Sequence, residues 1–91
     1  MHDVAAEGQQ AASTATTLDR LKRGQTATVT AVNIHGPQRR RLMDLGVLPG
    51  TRIHIDRVSP LGDPTAYLVR GSVIALRREQ ARGIHITVEQ E

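Results

Sequence analysis

Arg41-Leu42-Met43-Asp44-Leu45-Gly46-Val47-Leu48-Pro49-Gly50 joins the end of a helix, a glycine stop and a Pro-Gly turn, directly before an alternating strand pattern. Leu42 and Leu45, three residues apart, share one helical face, which Gln38 extends weakly, while Arg39, Arg40 and Asp44 fall elsewhere. Upstream, His35-Gly36-Pro37 closes a strand, and Pro37 suits a first helical position because its missing N–H costs nothing there. The spacing therefore predicts a helix over residues 37–45. Gly46 supplies a left-handed C-terminal residue, and Pro49 prevents the helix from resuming.

Strand signals lie on both sides. Residues 26–33 place Ala27, Val29 and Ala31 on one face and threonines on the other, with Val32 breaking the alternation at a bulge or strand end. Residues 51–58 put Ile53 and Ile55 inward and Arg52, His54 and Asp56 outward. After a turn with two prolines and a glycine, residues 65–70 carry Ala66 and Leu68 on one side and Tyr67 and Val69 on the other. Gly71-Ser72 turns into a strand over residues 73–76. Residues 77–82 form a single helical turn ended by Gly83, and residues 84–88 alternate as a last strand. The expected fold is mainly β: a small closed or nearly closed barrel of about five strands with one short helix inserted after the first, since closure removes exposed edges.

The composition limits function. The chain has 91 residues, with one Tyr and neither Phe nor Trp, so its core must be built from Leu, Ile, Val and Ala. A large enclosed active site is not expected of such a core. The net charge of +3 rests on 12 basic residues, of which only Lys22 is a lysine. An arginine-weighted surface suits acidic partners of several kinds. With no cysteine there are no disulfides or thiolate metal sites. Residues 1–17, rich in Ala, Gln and Thr, read as a flexible tail preceding one domain over residues 18–91. They have neither a basic n-region nor an apolar run, so a signal peptide is not expected, and no stretch approaches the roughly 20 apolar residues of a membrane span.

Catalysis has least support, because the carboxylates are scattered over outer faces and turns. Asp63, between glycine and proline, reads as a turn residue. His54 and His85, outward on two strands, would make a surface metal site if those strands are neighbours, although solvated histidines are the ordinary explanation and a tight site needs about three or four ligands. Arg39, Arg40 and Arg41 open the helix at the end where its dipole disfavours positive charge, an arrangement that marks a partner site or a plain solvated face. Tyr67 with Val69 would form a small exposed apolar patch if that side of their strand faces outward; otherwise Tyr67 covers a barrel end. Without further aromatic stacking residues, nucleic acid is a poorly supported partner.

Leu18-x-x-Leu21-x-x-Gly24-Gln25, the stretch from Arg41 through Thr51, Pro60-Leu61-Gly62-Asp63-Pro64, and Val69-Arg70-Gly71 through Ala75-Leu76-Arg77 with Ala81 and Ile84 together resemble the FeoA family, ferrous iron transport protein A, over nearly all of residues 18–88. The resemblance implies an SH3-like barrel without enzymatic activity. It also implies an accessory protein of bacterial ferrous iron uptake that works in the cytoplasm on the cytoplasmic part of a FeoB-type transporter and does not itself enter the membrane. The expected contact residues are Arg39, Arg40, Tyr67 and Val69. No cofactor is required; weak binding of Fe(II) or another divalent ion by His54 and His85 belongs to the alternative, a metal-sensing domain like the C-terminal domain of diphtheria-toxin-repressor-type regulators. Weak homodimerisation through a strand edge is also expected.

Overall fold

The structure is a computed structural model and describes residues 14–89. In chain order it contains β1 (Thr14–Thr17), a 3₁₀ turn (Leu18–Arg20), β2 (Thr26–Val32), α1 (Pro37–Asp44), β3 (Arg52–Val58), β4 (Thr65–Val69), β5 (Ser72–Leu76), α2 (Arg78–Ala81) and β6 (Ile84–Val88). The strands form one antiparallel sheet in the order β1-β6-β2-β3-β4-β5.

The stretch that carries the fold is closed by hydrogen bonds of one recognisable pattern. At the end of α1 the Gly46 N–H donates to the Met43 carbonyl at 3.0 Å, and the Val47 N–H donates to the Leu42 carbonyl at 2.9 Å. That pair is a Schellman motif, and Gly46 has the positive φ it needs, 102°. Its hydrophobic partner contact is present too, since Val47 and Leu42 are both buried. The next turn follows at once: the Thr51 N–H reaches the Leu48 carbonyl, with Pro49 and a positive-φ Gly50 at its centre. Gly50 and Thr51 then bond to the carbonyl and N–H of Val29, at 2.7 and 2.8 Å, which fastens the end of this stretch to β2.

Two bulges set the faces of the sheet. Val29 pairs with Ile86 and Ala31 with His85, so Thr30 is an extra residue in β2. The expected inward Ala31 is therefore exposed, and Val32 turns in to pack on the core. The break in alternation comes two residues earlier than Val32 itself. A second shift, between Ile55 and Arg57, leaves Asp56 unpaired in β3. Each bulge bends its strand and increases the local twist, which lets a sheet of short strands curl around its own inner face.

That inner face is Ala27 and Val29 from β2, Ile53 from β3, Tyr67 and Val69 from β4, Ile74 and Leu76 from β5, and Ile84, Ile86 and Val88 from β6. Leu18, Leu21, Leu42, Val47 and Ala81 plug it from the connecting segments. The barrel is open: β1 and β5 lie at the two ends of the sheet order. The 3₁₀ turn after β1 packs instead against α2, which follows β5, with Arg82 3.9 Å from Asp19.

Six strands rather than about five result because Thr14–Thr17, assigned to the tail, pairs antiparallel with β6. A run of threonine and alanine alone carries little apolar signal, and it is the ready edge of β6 that recruits it. The rest of the expected tail, residues 1–13, lies outside the described residues.

Replacing Gly46 with alanine forces a Cβ into the left-handed region and brings it 2.9 Å from Cδ of Arg70, a side chain able to move aside. The backbone strain should then dominate, and chemical denaturation should show a loss of about 1–2 kcal/mol.

Candidate functional site

Helix α1 carries three consecutive arginines, Arg39 to Arg41, on its exposed surface. The helix starts at Gly36 with no side-chain cap and no acidic residue in its first turn. Arg39, Arg40 and Arg41 are exposed and make no ion pair among the described residues. Only the first two open the helix as expected, because α1 is so short that Arg41 already falls in its last turn, where the dipole favours positive charge. The helical period sends them two ways. Gln38, Arg41, Leu42 and Leu45 form a stripe facing β5, and a groove of about 670 Å³ lies between. Arg39 and Arg40 look the other way, into a shallower recess of about 440 Å³ shared with Gly36, Met43 and Asp44. The two expected contact arginines are thus adjacent and accessible.

Tyr67 and Val69 do not join them. The β3–β4 register sets Tyr67 opposite Ile55 and Val69 opposite Ile53, on the inner face, and the two are 3% and 0% exposed. The expected apolar patch is therefore core. Alternation along β4 showed that these two residues share a side, but only pairing with β3 decides which side is inside. Burial raises the Tyr67 pKa; a hydrogen bond with the Thr65 side chain opposes the shift, and the negative charges of Asp19 and Asp63 add to it.

The histidines are also kept apart. His54 pairs with Thr26 and His85 with Ala31, on opposite sides of β2, so β3 and β6 are not neighbours. The five-residue offset from Thr26 to Ala31 corresponds to about 16 Å along the strand, with two strand spacings of roughly 5 Å across it. Two imidazoles on one ion must each approach to about 2 Å. This separation removes the expected His54–His85 site. Among the described residues no cluster of three or more His, Cys, Asp or Glu is placed to hold a metal. His2 lies outside the described residues.

Three carboxylates serve the scaffold. Asp63 Oδ1 accepts the Arg78 N–H at 2.9 Å and so caps α2, which agrees with its reading as a turn residue. Glu89 holds Arg52 through two bonds of 2.9 Å, and Asp19 accepts from the Thr17 hydroxyl. Sequence reasoning missed the groove. Its two walls, α1 with Arg41 and β5 with Val73 to Arg77, are far apart in the chain, and no local pattern brings them together.

An open, six-stranded antiparallel sheet with a short helix after its second strand and shallow basic concavities defines a small SH3-like β domain. The chain belongs to the FeoA domain family, whose model matches residues 16–88. A Porphyromonas gingivalis (strain ATCC BAA-308 / W83) protein, Fe(2+) transport protein A/Fe(2+) transporter FeoB fusion protein, is 32% identical over 69 residues, 76% of this chain and 8% of that much longer one. The solution structure of FeoA from Chlorobium tepidum matches with a TM-score of 0.75 at 40% identity, covering 79% of this chain and 69% of that one. FeoA from Stenotrophomonas maltophilia, solved in complex with zinc and described as a prokaryotic SH3 domain protein, matches with a TM-score of 0.66 at 28% identity, over 77% of this chain and 87% of that one.

The Tyr67 shift has a definite sign. Its folded pKa lies above the value of about 10 for an exposed tyrosine. The neutral phenol therefore contributes stability that is fully present below about pH 10 and is lost as pH rises through the folded pKa, because the unfolded chain gives up its proton first. Denaturation midpoints should fall as pH is taken from 9 to 11, and Tyr67→Phe should flatten that decline. Because the chain has a single tyrosine, tyrosinate absorbance gives the titration directly.

Proposed function

We propose that this chain is a non-enzymatic accessory protein of bacterial ferrous iron uptake that binds the cytoplasmic part of a FeoB-type transporter. The observation that supports it most is the fusion of the same kind of domain to FeoB in the Porphyromonas gingivalis relative. A covalent link holds two modules at an effective concentration of order millimolar without any special contact. Fusion therefore marks two modules that act together, and the proposed role is a direct contact between them. The work is then done in the cytoplasm and at the inner face of the membrane; no helix among the described residues is long and apolar enough to cross one.

The contact surface is α1, with Arg39 and Arg40 as its charged part. Their guanidinium groups have no ion-pair partner among the described residues and sit at the helix end where positive charge is least favoured locally. An acidic patch on the partner would relieve that arrangement and steer association. A non-enzymatic role is supported by the use of Asp63, Asp19 and Glu89 in capping and bridging the scaffold. No cofactor enters this role. The metal-sensing alternative loses its support with the separation of His54 from His85.

Calorimetric titration of the chain with the cytoplasmic region of the FeoB-type transporter from the same organism, at near-physiological salt, should show saturable binding. Arg39→Glu with Arg40→Glu should weaken it by roughly tenfold or more and flatten its salt dependence. Absence of binding by the unaltered chain would overturn the docking reading.

A further inference from the structure

Among the described residues strand β5 ends the sheet, and its outer edge has no partner strand. It is joined to β4 by a two-residue loop in which Arg70 and Gly71 both have positive φ, 52° and 82°. This is the primed turn of a tight hairpin, so the flanking Val69 and Ser72 form a hydrogen-bonded pair. Alternation from that pair directs the main-chain groups of Ser72, Ile74 and Leu76 towards β4. Those of Val73 and Ala75, opposite Leu68 and Ala66, point away from the sheet. No backbone partner reaches Val73 or Ala75 from the described turns and loops. The next N–H along the edge, that of Arg77, is already taken by Oε1 of Gln80 at 2.8 Å, so the open ladder is short and has a defined end.

This edge faces the groove beside α1. The groove is lined by the unbroken run from Val73 to Arg77. A concavity over one face of a strand would touch alternate residues; contact with every residue in succession means that it runs along the strand's edge. Its opposite wall is the α1 stripe, where half-buried Leu45 supplies apolar surface and buried Leu42 lies beneath it. Arg41 stands on one rim and Arg77 on the other, and no acidic residue among the described residues lines the space.

We propose that the groove between β5 and α1 is a strand-addition site for an extended, acidic and apolar peptide segment of a partner protein. Main-chain bonds to Val73 and Ala75 hold the segment, its small apolar side chains rest towards Leu42 and Leu45, and its carboxylates meet Arg41 and Arg77. Main-chain pairing with a sheet edge supplies affinity in this mode, and pockets for alternate side chains supply selectivity. The charge of the rim sets the acidic character of the occupant. Only the source of the segment, the transporter, rests on the docking reading above.

The probe is a capped hexapeptide of alternating glutamate and valine, titrated into the whole chain and followed by amide shifts and hydrogen exchange at near-physiological salt. Binding should saturate, exchange at Val73 and Ala75 should slow, and a peptide with lysine for glutamate should bind roughly tenfold more weakly. Methylating alternate peptide nitrogens should abolish binding in one register and spare it in the other. Val73→Pro removes an outward N–H without touching the β4 ladder, a place where edge strands accept proline, and should weaken binding roughly tenfold while the amide spectrum of the rest is kept. Failure to saturate, or unaltered exchange at both amides, overturns the site. So does protection that grows with protein concentration before peptide is added, which would assign the edge to a second copy. Because the peptide is free, loss of transporter binding with peptide binding retained would overturn the docking reading and leave the groove standing.

Discussion

The bond from the Val47 N–H to the Leu42 carbonyl is the point on which the architecture turns. It ends α1 and, in the same step, places two buried side chains against each other. A helix of eight residues is too short to persist on propensity, so its stability has to come from a packed end and a buried face. The Schellman closure provides both. Because Gly50 and Thr51 then bond to Val29, α1, the turn and the start of β3 are all referred to a single residue of β2. The groove inherits this rigidity, since its helical wall is fixed relative to the sheet at that one end.

Curvature is the second constraint. Six strands of four to seven residues with a single aromatic cannot bury enough surface as a flat layer. The extra residues at Thr30 and Asp56 bend β2 and β3, the central strands, and the inner face so curved buries Val29, Ile53 and Val69 completely. Bulging has a local consequence at each place: it reverses the alternation beyond it. That is how Ala31 comes to be outside and Val32 inside.

Most of the fold was legible because its local signals agree. Gly46 and Pro49-Gly50 announce a stop and a turn by backbone chemistry alone, and the alternation of residues 84–88 survives intact in β6. Legibility failed where a residue's position depends on a partner far along the chain. Tyr67 and Val69 are inside because Ile55 and Ile53 lie opposite them, and no property of β4 by itself distinguishes its two sides. Thr14–Thr17 is a strand because β6 offers an edge. His54 and His85 were both correctly read as outward-pointing strand residues, yet whether they could cooperate was a question of strand order, which inserts β2 between them. At α1 the exposure of Arg39 and Arg40 followed from the helical period, but the groove on the opposite side needed knowledge that β5 is terminal.

The same economy of apolar mass accounts for the groove. Leu42 is buried by the closure of α1, but Leu45, at the helix C-cap, is only half buried, and Val73 on β5 is 56% exposed. With one aromatic in the whole chain, spent at Tyr67 inside the sheet, no large side chain remains to fill the space between α1 and β5. An edge with unpaired amides and apolar neighbours invites indiscriminate pairing, and natural proteins blunt such edges with charge. Arg41 and Arg77 stand where that charge is needed. In the strand-addition proposal they disfavour basic strands and admit acidic ones. Arg41, which has no ion-pair partner among the described residues, is given by that proposal a part in selectivity at the edge rather than in the fold.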